Sequence, residues 1–278
     1  MVSFRSVSTH IYTYRLLTIV TFIGGVWSMF HHVVNHQERF ETTHFSANKN
    51  MLKAYLVFQS YLQFVFLFQF WSKFESVTET AKDVGHVYML YHVLQGVWAY
   101  FFGQFEDRSN YTISWLILVL NCVNVFYGHH TKATYSIRPI SRYWFIHVPV
   151  MAMPRAWLFY AFFWNGSLAL RWDTDHMNVA NQVLSNVLLW VFFFEPCVAL
   201  IRHRDWAYAF AMSFWTWAIS YPQQEYDGIN YTLQTWFAVI ISTLLYFAAF
   251  FVAYPDSEDT RVTRADATLG EDAPLLNN

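Results

Sequence analysis

A chain of 278 residues with 55% hydrophobic, 21% aromatic and only 13% charged residues carries about half the ~25% charge of an ordinary soluble domain. The apolar content excludes a disordered chain, two cysteines exclude a disulfide scaffold, and a net charge of −2 with a sequence pI near 6.6 excludes a nucleic-acid binder. Twenty-eight Phe, eighteen Tyr and thirteen Trp need a solvent other than water, and a lipid bilayer supplies one.

In chain order, eight helix-length stretches follow, each near the roughly 20 residues that cross a hydrocarbon core about 30 Å thick. Leu16 to Asn35, Ala54 to Trp71, Val84 to Phe105 and Tyr111 to His130 contain no Asp, Glu, Lys or Arg. Tyr143 to Leu170 carries only Arg155, Val179 to Ile201 only Glu195, and Trp206 to Gln224 and Tyr231 to Tyr254 none. The runs lack the alternation of porin strands, so the expected fold is all-α, a polytopic transmembrane helical bundle of eight spans. The expected organisation is a short cytoplasmic N-terminus over 1–13, a membrane domain over 14–254 and a disordered cytoplasmic tail over 255–278.

Lys and Arg counts set the orientation, because positive flanks favour the cytoplasm. One side carries Arg5, Arg15, Lys73, Lys82, Lys132, Arg138, Arg142, Arg202, Arg204, Arg261 and Arg264. The other carries Arg39, Lys49, Lys53, Arg108 and Arg171, which predicts both termini in the cytoplasm. The first apolar run is too long for a signal peptide and is not followed by a small-residue cleavage site. Asn-Tyr-Thr sequons at Asn110 and Asn230 fall on the predicted outer side, too close to the membrane for ready modification, and a third match at Asn165 lies inside the fifth stretch.

The segments QFEDRSNYT from Gln104 and QEYDGINYT from Gln224 share Gln, Asp, Asn, Tyr and Thr in register. Two readings stand: a parallel four-plus-four repeat with halves 14–130 and 143–254, or two polar turns that converged. In the tail, Glu271 stands ahead of the Leu275-Leu276 pair in the pattern of an acidic dileucine sorting signal, which would engage a sorting adaptor and direct the protein to a vacuolar or endosomal membrane rather than leave it at the plasma membrane.

Chemistry is sparser. A charge at mid-span costs at least ~2.5 kcal/mol on insertion scales and usually faces a bundle interior. Arg155 follows Pro154 and Glu195 precedes Pro196, so two opposite charges sit where proline frees backbone carbonyls, and an ion pair that fixes helix register competes with a substrate or proton site. His32 and His36 have the spacing of one helical face and, with mid-span His92, are the metal or haem candidates, while His129, His130 and His203 read as interfacial. His86 and Asp173 complete the set from which a His-rich hydrolase is conceivable. Cys122 and Cys197 lie in apolar spans and suit no nucleophile. No catalytic residue, resident cofactor or nucleic-acid partner is assigned; the expected partner is the bilayer.

The run IHVPVMAMPRAWLFYAFFWNGSLAL resembles the fifth span of a fungal family of eight-helix membrane proteins, domain of unknown function 1774, at His147, Pro149, Val150, Pro154, Ala156, Trp157, Trp164, Asn165 and Gly166. LSNVLLWVFFFEP is similar to that family's next helix at Asn186, Val187 and Trp190. Arg155 departs from the family's apolar residue. The resemblance implies an eight-helix membrane protein and brings no reaction. The expected function is a non-enzymatic transporter-like or scaffold bundle with a polar interior of Arg155, Glu195, His147 and Asn165; the alternative is an intramembrane metal-dependent hydrolase or haem oxidoreductase. A mid-depth cavity would favour transport, tight packing a scaffold, and three converging ligands an enzyme.

Overall fold

A computed structural model of the protein describes residues 4–39, 42–104, 109–132, 144–172, 178–222 and 229–254. Among these residues the extended regular elements are all helical, as the uninterrupted apolar runs require: α1 (Phe4–His32), α2 (Lys49–Leu67, continued by a 3-10 turn over Phe68–Trp71), α3 (Glu75–Phe102) and α4 (Ser109–Thr131). α5 (Trp144–His147), a π-helical turn over Val148–Ala152 and α6 (Met153–Ala169) form one rod. α7 (Val179–Leu189) and α8 (Val191–His203) form another, interrupted at Trp190; α9 (Trp206–Ser220) and α10 (Ile229–Ala253) complete the described bundle. Each rod lies over one of the eight apolar stretches. α3 starts at Glu75 rather than Val84, because the polar prelude around Glu79, Lys82 and Asp83 is itself good helix-forming sequence.

Among the described residues five segments are long and apolar enough to cross a membrane: Tyr12–His36, Lys49–Trp71, Ser109–Thr131, Val179–His203 and Thr232–Ala253. Their exposed side chains form apolar stripes at helical spacing, such as Leu16, Val20, Ile23 and Trp27 on α1 and Trp236, Ile240, Leu244, Phe247 and Phe251 on α10. Water does not tolerate apolar surface of that extent, whereas lipid does. α6 and α9, at 17 and 15 residues, are shorter; they are buried on nearly every side and carry their polar residues inward.

α1 packs along α3, α3 along α4, α4 along α6, and α9 along α10. The α1 and α3 backbones approach closely at Gly25, where a Cβ would lie 2.7 Å from the His92 carbonyl oxygen, so only glycine fits. Stacking of Tyr160 on Trp215, centroids 4.1 Å apart and planes 2° from parallel, joins α6 to α9 at the core. The connection from α1 to α2 folds back into one end of the bundle. Phe45 is buried against Phe163 and Phe192, Asn48 donates its N–H to Ala218 O (2.9 Å), and Gln234 on α10 donates to His44 O (2.6 Å) while the His44 ring meets the Gln234 amide oxygen. These contacts tie the α1–α2 connection to α6, α8, α9 and α10.

A buried charge cluster at one end of the bundle

The sharpest polar feature is assembled at the ends of four rods, on the side that carries Lys132, Arg202 and Arg204. Its positions are set by local chain chemistry. Pro149 and Pro154 deprive α5 and α6 of two backbone donors, and the chain accommodates them with the π-helical turn. In an uninterrupted α-helix His147 and Arg155 would point about 80° apart; one inserted residue reduces that to about 20°, which places both on one face. At the end of α8, Arg204 takes a left-handed conformation (φ 50°), and the reversed chain delivers Asp205 as the N-cap of α9, its Oδ1 accepting the Tyr208 N–H at 3.1 Å.

Around these turns the side chains interlock. The Arg155 guanidinium donates through Nη2 to Glu195 Oε1 and through Nη1 to His129 Nδ1. It lies over the rings of Phe126 (4.5 Å) and Tyr208 (4.3 Å), and the Tyr208 hydroxyl donates to Glu195 Oε2. His129 Nε2 is 2.9 Å from Asp205 Oδ2, and His147 Nε2 is 3.0 Å from Asp205 Oδ1. A guanidinium has donors only, so His129 Nδ1 is an acceptor and its proton is on Nε2, directed at Asp205. Burial alone would push the Asp205 carboxyl up; the His147 and His129 imidazoles against it reverse that and hold it well below the usual carboxylate range.

Among the described residues, with His129 neutral, Arg155 contributes one positive charge against the two negative charges of Glu195 and Asp205. A proton on His147 or a bound cation would balance the excess. Glu195 is the most exposed member of the ion pair, at 19% of its side chain. The ring of half-buried His203 is 5.6 Å from both buried His129 and exposed His130, so imidazoles lead from the surface to the carboxylate.

Arg155, Glu195 and His147 are therefore neighbours in one network, and Asn165 is not among them. Asn165 sits further along α6, where its Oδ1 accepts from Trp98 Nε1 (3.0 Å) and the Ser114 hydroxyl (2.8 Å) and its Nδ2 donates to Tyr111 O (2.8 Å). It is a tie between α3, α4 and α6, too enclosed to accept a glycan. The metal candidates read from sequence require correction. α1 ends at His32 and His36 falls in the following 3-10 segment Val34–Arg39, so the two do not share a helical face. His32 packs with His31, Trp27 and Tyr100, while His92 lies in a box of Phe22, Tyr88 and Tyr91. Among the described residues the group of three that does converge is His129, His147 and Asp205, with ligand atoms within 4.8 Å of one another. His86 is exposed on α3, and Asp173, Glu271, Leu275 and Leu276 lie outside the described residues, as do 105–108 and 224–228 of the two repeat segments.

Asp205, His129 and Tyr208 were not singled out from sequence. Histidines at helix ends have an ordinary interfacial explanation, which masked His129. Asp205 did carry a signal: a lone carboxylate between Arg204 and the apolar run that begins at Trp206 is an N-cap pattern, and an N-cap at a rod end faces neighbouring rod ends.

A family described as fungal protein of unknown function (DUF1774) matches residues 182–276. The match contains Asn186, Val187 and Trp190 and ends in the tail; it includes Glu195, Asp205 and Tyr208, whereas His129, His147 and Arg155 precede it. No curated protein and no solved structure matches the chain.

Proposed function

We propose that this protein is a multi-pass integral membrane protein that crosses the bilayer eight times with both termini in the cytoplasm, and that it works as a transporter-like bundle with a proton-binding centre at His147, set against the Asp205 carboxylate and His129. The membrane assignment rests on the five long apolar segments and their exposed stripes. Eight crossings extend it to α3, the α5–α6 rod and α9; in α6 and α9 the polar residues are turned inward. A four-plus-four arrangement is supported by the matching adjacency of α3 with α4 and of α9 with α10. The tail residues Glu271, Leu275 and Leu276 fit a sorting signal read by a cytoplasmic adaptor, which places the protein in an endosomal or vacuolar membrane.

One observation carries the transport reading: among the described residues a buried and a half-buried carboxylate face one guanidinium, and histidines connect the excess negative charge to the surface. A scaffold gains nothing from an unbalanced buried charge, because breaking the balance of such a cluster costs several kcal/mol. A carrier uses it, since a titrating group that reaches the surface couples protonation to helix position. Reconstituted in liposomes loaded with a pH-sensitive dye and supplied with a soluble-metabolite extract, the protein is expected to move protons down an imposed gradient. Asp205→Asn and His147→Gln should abolish that flux; equal signals from all three forms would reduce the cluster to a structural tie.

The convergence of His129, His147 and Asp205 favours a second reading, a metal-dependent intramembrane enzyme. Arg155 weighs against it. Ligation through His129 Nε2 would move the ring proton to Nδ1, where the guanidinium donates, and would place a metal cation beside a fixed positive charge. Elemental analysis separates the two: zinc or iron at one equivalent, lost in Asp205→Ala, would establish the enzyme reading.

A further inference from the structure

Midway along α2 and α3, away from the charge cluster, the packing leaves a cavity of about 20 Å³, room for a water-sized guest. Four of its walls are the polar side chains of Gln59, Gln63, His92 and Gln95, each at least 97% buried. The Gln59 amide donates its Nε2 to Tyr91 OH at 2.7 Å, which leaves its Oε1 open; Gln95 Nε2 meets only the Met29 sulfur at 3.4 Å, which leaves its Oε1 open. Gln63 Nε2 and both ring nitrogens of His92 likewise have no hydrogen-bond partner among the described residues. Five unsatisfied polar atoms around one void are unusual in a native interior, because each costs free energy until something bonds to it.

We infer that this cavity is a binding site for a small uncharged hydroxyl-bearing molecule, water being the smallest. The lining is mixed in polarity: amide oxygens accept, the Gln63 amide donates, and a neutral imidazole offers one of each. A hydroxyl both donates and accepts, and it matches such a lining whichever way an amide is rotated. No Asp, Glu, Lys or Arg lines the cavity, so an ion would be stripped of water with no countercharge. The outer side of the cavity is formed by half-buried Val26 on α1 and Ser60 on α2, the seam through which a guest enters. Gly25 borders the same cavity, and its missing Cβ lets α1 lie on the His92 backbone. The site is separate from the proton centre and stands or falls independently of it.

An experimental map of the full chain in lipid nanodiscs, at a resolution that shows ordered water, tests the inference. The expected result is density in the cavity within hydrogen-bond distance of Gln59, Gln63 and Gln95; density that grows in glycerol-containing buffer assigns a polyol, and density that stays unchanged assigns water. A folded Gln59→Met/Gln95→Met variant should lose the density. An empty cavity with the glutamine amides turned to pair with one another, or density that persists in that variant, would overturn the proposal.

Discussion

Arg155 is held by partners on three other elements, Glu195 on α8, His129 on α4 and the Tyr208 ring on α9, and this changes what its removal should do. Arg155→Ala leaves buried Asp205 and half-buried Glu195 without their guanidinium and is expected to destabilise by about 3–5 kcal/mol. A simple pair would be rescued fully by adding Glu195→Ala. Here the rescue should be partial, because Asp205 and His129 still lose a neighbour, with a coupling energy of at least about 1 kcal/mol in a double-mutant cycle read from denaturant unfolding in micelles. Strict additivity of the two substitutions would dissolve the network. His44 offers a pH test at the opposite end of the bundle. Burial holds its imidazole below the ordinary value, against the opposing effect of the Gln234 hydrogen bond. The folded state thus prefers neutral His44, and its contribution is complete above the unfolded pKa of about 6.5 and is lost as pH falls below it. Melting temperature should drop between about pH 7.5 and about pH 5.5, and His44→Gln should flatten that part of the drop. Arg155 and Glu195 were legible as single residues, since charge is conspicuous in apolar sequence, but their partners Asp205 and His129 look ordinary at helix ends and become exceptional only when four ends meet.

At the scale of elements, the helices were legible because apolar runs of such length have few other options, and their ends follow the polar connectors. The exceptions have local causes. The π-helical turn at Val148–Ala152 answers Pro149 and Pro154, and the start of α3 at Glu75 reflects helix propensity that hydropathy ignores. Helix contacts were less legible, and the α1–α3 seam shows why. Gly24 and Gly25 are adjacent and identical in sequence, yet a Cβ at Gly24 meets nothing within 4 Å while one at Gly25 strikes the His92 backbone. Gly24→Ala should be neutral or stabilise by up to about 1 kcal/mol, since Ala is the better helix former. Gly25→Ala should lower the melting temperature by forcing α1 away from α3. Equal melting temperatures for the two variants would refute the close approach.

For the whole molecule, the arrangement of seventeen basic residues predicts the topology, and the charge cluster lies at the rod ends flanked by Lys132, Arg202 and Arg204. In sealed vesicles with the cytoplasmic face outward, added protease should remove the last twenty or so residues, and in the opposite orientation it should leave them intact; the reverse pattern would invert the topology. The scarcity of charge by itself determined that this chain is helical, with segments apolar enough for lipid, where each backbone polar group must be satisfied within its own segment. The uneven distribution of that charge gave the expected orientation, and two strays marked where to look. Only the tertiary structure decided that Arg155 and Glu195 share their site with Asp205, His129 and His147, that Asn165 belongs elsewhere, and that Gln59, Gln63, His92 and Gln95 enclose one cavity. Hydropathy records which solvent a segment prefers, whereas a site is made by side chains from different segments, and their meeting depends on rotations, turns and close approaches that no single segment encodes.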